Sequence, residues 1–82
     1  MKDMNMSINL NTIEKVKQFI TVTTKHNDAE FDIAPDHGRI SVDGKSIMGI
    51  FSLDISKPLT LLIHAPENIL PAIQTELQPF VA

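Results

Sequence analysis

Apolar and polar residues alternate over the first ten positions of the chain, and the spacing then changes to that of a helix. Alternation predicts a strand with one buried face, formed by Met4, Met6, Ile8 and Leu10. The helical spacing that follows predicts a first helix whose buried face holds Ile13, Val16, Ile20 and Thr23, with Phe19 beside them. Asn11 or Thr12 is expected to cap this helix, and Asn11 and Glu14 have the spacing of a capping box.

A turn signature separates two further alternating stretches in the middle of the chain. The turn is Pro35-Asp36-His37-Gly38, a composition that favours reversal of the chain direction. Residues near 29–35 and 39–43 are therefore predicted to form a hairpin. The apolar positions of its two strands are Phe31, Ile33, Ile40 and Val42.

The next segment predicts a short helix and a strand. Ser46 precedes the apolar run of residues 47–51, which is typical of a capped helix of under two turns. A last strand is expected to start at Pro58. Its inward positions are Leu59, Leu61 and Ile63, and Leu62 lies on the opposite face.

Helical spacing returns at the end of the chain, at Ile69, Ile73, Leu77 and Phe80. Asn68 is the expected cap, Pro71 is tolerable in the first turn only, and Pro79 is expected to end the helix. The predicted order is strand, helix, strand, strand, short helix, strand, helix. That order indicates one α+β domain over residues 1–82, with helices on one face of a four-stranded sheet. The pattern alone favours a ferredoxin-like sandwich, but it leaves many other folds of this class open.

Composition removes several classes of function. The 82 residues carry 7 basic and 10 acidic side chains, a net charge of −3, one arginine and no cysteine. Without cysteine there is no disulfide, thiolate metal site or thiol nucleophile, which suits a cytoplasmic protein. Mild acidity and a single arginine argue against direct nucleic-acid binding. No apolar run reaches the roughly 20 residues of a membrane helix.

The residues that could carry enzymatic chemistry are scattered. Gly44-Lys45-Ser46 resembles the end of a phosphate-binding loop, but Arg39 stands where the first glycine of that loop is required. His26, His37 and His64 have no spacing that builds a metal site on one element. We therefore expect no enzyme activity, no metal, no cofactor and no small-molecule substrate.

Ser46 differs from these scattered residues because of its neighbours in the sequence. A serine at the start of a short apolar helix is ordinarily an N-cap. The same position, beside Lys45, would also accept a phosphate group with charge-assisted hydrogen bonds. The helix has more apolar residues than one buried face requires: Ile47, Met48, Ile50 and Phe51. Some of these four are therefore expected to remain exposed as a docking patch.

The run from Val42 to Leu53, VDGKSIMGIFSL, closely resembles the regulatory-serine segment of HPr. HPr is the small phosphocarrier of the bacterial phosphoenolpyruvate:sugar phosphotransferase system. The resemblance covers essentially the whole chain in length and element order, although only this central run is specific. It implies an open-faced β-sandwich of order β-α-β-β-α-β-α.

The phosphohistidine loop of that family has no counterpart here. The family carries its histidine in a Gly-Leu-His-x-Arg-Pro run at the start of the first helix. The corresponding stretch, Thr12 to Gln18, has neither histidine nor arginine, and it contains Lys15, Lys17 and the negatively charged Glu14. The comparison therefore implies a degenerate HPr that is not a working histidine carrier.

The leading hypothesis is that this chain retains the family's regulation through a phosphorylated serine. In Gram-positive members an ATP-dependent kinase phosphorylates the serine that matches Ser46, and the product acts with a catabolite-control transcription factor. The resemblance assigns Lys45, Ile47, Met48 and Phe51 to partner docking. Two alternatives stay open: a constitutive protein-interaction domain in which Ser46 is only a helix cap, and a phosphocarrier that uses an unrecognised residue.

Overall fold

The computed structural model describes residues 1–36, 38 and 40–82. Four strands and three helices follow one another in the predicted order, with a 3-10 turn on each side of the last helix, Glu67–Ile69 and Gln78–Phe80. The elements are β1 (Lys2–Ile8), α1 (Ile13–Lys25), β2 (Glu30–Pro35), β3 (Val42–Asp43), α2 (Ile47–Phe51), β4 (Leu59–Ala65) and α3 (Leu70–Glu76).

The strands form one antiparallel sheet in the order β1-β4-β2-β3. β4 pairs with β1 on one side and with β2 on the other, with Ile63 opposite both Met4 and Phe31. This last strand therefore lies inside the sheet, and all four of its inward side chains are fully buried: Leu59, Leu61, Ile63 and Ala65.

The helices cover one face of the sheet, as predicted, and the other face is open. Phe19 of α1 meets Phe80 edge-to-face with 5.6 Å between ring centroids, which joins the first helix to the C-terminal segment. Ile50 of α2 and Ile73 of α3 are fully buried in the same core. Burial of each such side chain contributes about 1.5–3 kcal/mol.

The prediction that Ile13 lies on the buried face of α1 is wrong, since its side chain is 61% exposed. Thr12 caps the helix by accepting a hydrogen bond from the Lys15 amide, so Ile13 is the first helical residue. Side chains lean towards the N-terminus of a helix, so the side chain of the first helical residue has no preceding helical turn to pack against. The Asn11–Glu14 capping box is not used, because the cap lies one residue later.

The hairpin forms at the predicted place with a much shorter second strand. Gly38 donates its amide to the Pro35 carbonyl at 2.9 Å, which closes the turn. β3 contains only Val42 and Asp43, and Ile40 is 76% exposed instead of facing inward. His37 and Arg39 lie outside the described residues. The ladder stops at Gly44, where a Cβ atom would come within 2.7 Å of the Phe31 side chain.

The C-terminal helix starts later than the pattern predicts. The 3-10 turn precedes it, and the residue at its N-cap is Ile69, so the expected cap at Asn68 is wrong. Pro71 lies in the first turn, as expected, and the helix ends at Glu76, before Pro79. Within the described ranges no helix is both long enough and apolar enough to span a bilayer.

Candidate functional site

The segment before α2 is fixed against α1 and β2 by a dense set of hydrogen bonds. The Gly44 amide donates to the Phe31 carbonyl at 2.6 Å, and the buried Thr23 hydroxyl donates to the Gly44 carbonyl at 2.9 Å. The Asp43 side chain accepts the Lys45 amide at 2.9 Å, which forms a tight local turn. The start of α2 is therefore held rigidly by residues that are distant in sequence.

Ser46 is the N-cap of α2, as its position in the sequence predicts. Its Oγ accepts a hydrogen bond from the Gly49 amide at 3.1 Å. A Cβ atom at position 49 would lie 3.3 Å from both the Ser46 Oγ and the Val42 side chain. Gly49 thus leaves room for the cap, although glycine lowers the helix propensity of so short an element.

Lys45 joins the end of α1 to the start of α2. Its ammonium donates to the His26 carbonyl at 2.8 Å and lies 5.9 Å from the centroid of the Phe31 ring. A cation at the C-terminal carbonyls of a helix interacts favourably with the helix dipole. Lys45 therefore already has a structural partner. Sequence reasoning missed this bond because His26 is far away in the chain.

Three of the apolar residues of α2 remain on the surface. The exposed fractions are 37% for Ile47, 79% for Met48 and 40% for Phe51, whereas Ile50 is fully buried. We call the three exposed residues, Ile47, Met48 and Phe51, the α2 surface. They lie on one short helix whose start is anchored by the bonds above, so they form a small, preorganised apolar surface.

The start of α1 contains no imidazole. Thr12 caps it, Ile13 is exposed, Lys15 is half-buried and Lys17 is exposed. His26 lies at the opposite end of this 13-residue helix, which is about 20 Å away at 1.5 Å per residue. Both lysine side chains are cationic, and no histidine stands among residues 12–18.

The two described histidines have carboxylate partners. His26 Nε2 lies 3.4 Å from the Glu76 carboxylate, which also accepts a hydrogen bond from Lys25 Nζ at 2.6 Å. The Lys25 hydrogen bond lowers the pKa of the Glu76 carboxyl, partial burial opposes it, and His26 lowers it further. His64 contacts Asp3 on the open face of the sheet. Among residues 1–36, 38 and 40–82, no group of acidic or histidine side chains could hold a metal ion.

Comparison with known proteins identifies the fold. No protein-family model matches the sequence, and no curated protein matches it either. Among solved structures, the chain is similar to HPr-C-His from Thermoanaerobacter tengcongensis, with a TM-score of 0.65 and 24% sequence identity. The superposition covers 94% of this chain and 86% of that one. The fold is thus the HPr-like α+β open-faced sandwich that the central run predicts, and not the ferredoxin-like alternative.

Proposed function

We propose that this chain is an HPr-like regulatory protein of the sugar phosphotransferase system, without enzyme activity of its own. It binds partner proteins through Ser46 and the α2 surface. The fold and the run from Val42 to Leu53 support the family level of this proposal. The observation that carries the docking role is the exposure of Ile47, Met48 and Phe51 on a helix whose start is rigidly anchored.

The chemistry of such a surface suits protein partners. Interface hot spots are clusters of large side chains at the centre of a patch. Methionine adapts its shape to different partners, and Met48 is the most exposed of the three. A partner that covers this patch removes apolar surface from water without any rearrangement of the anchored segment.

Absence of a histidine at the start of α1 supports a role other than phosphoryl transfer to sugars. Thr12, Ile13 and Glu14 occupy that end, and Glu14 would repel a phosphoryl group. His26 stands at the other end of the helix and contacts Glu76. No described histidine therefore shares the end of α1 at which the family carries its phosphate.

A phosphate on Ser46 is the proposed switch. The serine Oγ attacks the γ-phosphorus of ATP bound to a partner kinase, ADP leaves, and the hydroxyl proton passes to a base of that kinase. Ser46 then carries about two negative charges beside the α2 surface. A catabolite-control regulator can use this negative charge to distinguish the phosphorylated chain from the unphosphorylated one.

The test is incubation with an HPr kinase and ATP, followed by intact-mass measurement. We expect the addition of one phosphate, absent in Ser46→Ala and retained in Ser52→Ala, whose serine lies at the other end of α2. Failure of the wild-type chain to gain phosphate would contradict the switch. A parallel reaction with phosphoenolpyruvate and enzyme I should give no acid-labile phosphate; if it does, the chain is a phosphocarrier.

The constitutive interaction domain has one observation in its favour, because the Ser46 hydroxyl is already engaged as a helix cap. In that case Ser46→Ala and Ser46→Asp would bind the partner as tightly as the wild type. A regulatory role instead requires that Ser46→Asp or true phosphoserine change the affinity for the same partner.

A further inference from the structure

The outer edge of β1 is covered at one end only. Val81 forms an antiparallel bridge with Ile8, the Ala82 amide donates to the Ser7 carbonyl at 3.0 Å, and the Asn9 amide donates to the Phe80 carbonyl at 2.8 Å. Backbone groups of alternate residues point to opposite sides of a strand. The backbone amides and carbonyls of Asp3 and Asn5 therefore point away from β4, as the backbone groups of Ser7 do. No described residue forms a hydrogen bond with the backbone of Asp3 or Asn5.

We infer that this open edge, from Lys2 to Met6, binds an extended segment of a partner protein by addition of a strand to the sheet. The segment has basic side chains alternating with apolar ones. An edge strand offers a row of free amides and carbonyls to another chain. The antiparallel bridge between Ile8 and Val81 shows that this edge accepts backbone pairing from an added segment.

The basic character of the partner follows from the open face of the sheet. Asp3 and Glu30 lie opposite His64 on its two sides, and Asp32 lies opposite Asp43. None of the described strand residues of this face is a lysine or arginine, and Lys45 lies at the margin of the face, beside Glu30, Asp32 and Asp43. Every second side chain of an added strand falls on this acidic face, next to Asp3 and Asn5, where a lysine or arginine is favoured.

The apolar character follows from the other face of β1. Met4 and Met6 are half-buried and pack at the margin of the core. The remaining side chains of an added strand lie beside these two methionines, which adapt to different apolar groups. A second copy of this chain fits less well, since β1 pairing with β1 would merge two acidic sheet faces into one.

The probe is an acetylated, amidated hexapeptide of alternating lysine and valine, titrated into the isotopically labelled full chain and followed by amide NMR. We expect saturable shifts at Asp3 and Asn5, slower hydrogen exchange of these two amides, and little change at the α2 surface. A peptide of alternating glutamate and valine should bind at least about tenfold more weakly, because it meets like charge. Equal binding of both peptides would overturn the assigned charge.

Two changes isolate the backbone pairing. Asn5→Pro removes an amide that β4 does not use and should weaken binding about two- to tenfold, the factor expected from loss of one hydrogen bond. Asn5→Ala keeps that amide and should bind as the wild type does, and N-methylation of alternate peptide residues should abolish binding. Undiminished binding to Asn5→Pro, shifts confined to α2, or a free protein that is already dimeric through β1 would each overturn the inference.

Discussion

Lys45 and Ser46 are neighbours in sequence, yet their side chains stabilise opposite ends of two different helices. Ser46 caps the start of α2, and the Lys45 ammonium donates to the carbonyl of His26, the C-cap residue of α1. Between them, the buried Thr23 hydroxyl holds the Gly44 carbonyl. The geometry of the proposed docking site therefore depends on single hydrogen bonds made by residues that do not themselves contact a partner.

Removal of the Ser46 hydroxyl should destabilise the fold modestly. Ser46→Ala leaves the Gly49 amide without its cap, and we expect the free energy of unfolding to fall by about 1 kcal/mol, whereas Ser46→Gly should lower it by only a few tenths. Urea denaturation measures both. Ser41→Ala, at an exposed serine outside the helix, is the control. Equal effects of Ala and Gly at position 46 would contradict a capping role.

Thr23→Val should lower the free energy of unfolding more than Thr21→Val does. The valine keeps the shape but leaves the buried Gly44 carbonyl without its donor, which costs about 1–3 kcal/mol. Thr21→Val is the matched control on the same helix, because Thr21 is exposed and donates only to the Lys17 carbonyl. Urea denaturation measures the free energy of unfolding of both variants. A similar decrease in the two would contradict the stabilising role of the Thr23 hydrogen bond.

At the scale of elements, α2 combines a buried anchor with an exposed surface in five residues. Such a short helix is not stable alone, so Ile50 in the core and the hydrogen bonds before Ser46 keep it in place. The proposed function would separate folding from recognition, because Ile50 is buried in the core and the α2 surface stays exposed.

Met48→Asp tests that separation. Because Met48 is 79% exposed, the free energy of unfolding should change by no more than about 0.5 kcal/mol. The kcat/KM of an HPr kinase for the chain should fall at least about tenfold, since a charge enters the centre of the docking patch. Lys17→Asp, an exposed change on α1, is the control. An unchanged kcat/KM for Met48→Asp would exclude the α2 surface as the docking site.

At the scale of the whole molecule, the topology brings the ends of α1 and α3 together. Lys25 and His26 close α1, and Glu76 at the end of α3 contacts both. The topology also leaves the second face of the sheet open and acidic, and it makes β1 an edge strand. These three features lie far apart in the chain and exist only through the sheet order.

The contact at Glu76 predicts a dependence of stability on pH. The pKa of the Glu76 carboxyl in the folded protein lies below its ordinary value of 4.5. The ionised carboxylate therefore contributes its full stabilisation at pH values above 4.5, and this contribution is lost as the pH falls through the lowered pKa. Glu76→Gln should therefore be less stable than the wild type near neutral pH, and the difference should vanish in acid. Glu67→Gln, at a highly exposed glutamate, should show a smaller difference at neutral pH. Urea denaturation across a pH series measures this; a Glu76→Gln difference that persists in acid would contradict the lowered pKa.

The local pattern of the sequence determined much of this protein. Alternation and helical spacing predicted the order of the elements, because side-chain period depends only on backbone geometry. Ser46 could be recognised as a cap because capping acts over three residues. Likewise, the sequence alone shows that the stretch from Thr12 to Gln18 contains no histidine.

Tertiary structure decided the rest, because the remaining features join residues that are distant in the chain. Ile13 is exposed at the first position of α1, and Ile40 is exposed because it lies outside β3, which has only two residues. The bond from Lys45 to His26 and the open edge of β1 follow from packing and strand order. Local periodicity carries no information about which strand is central, and that choice determines which surfaces remain available for partners.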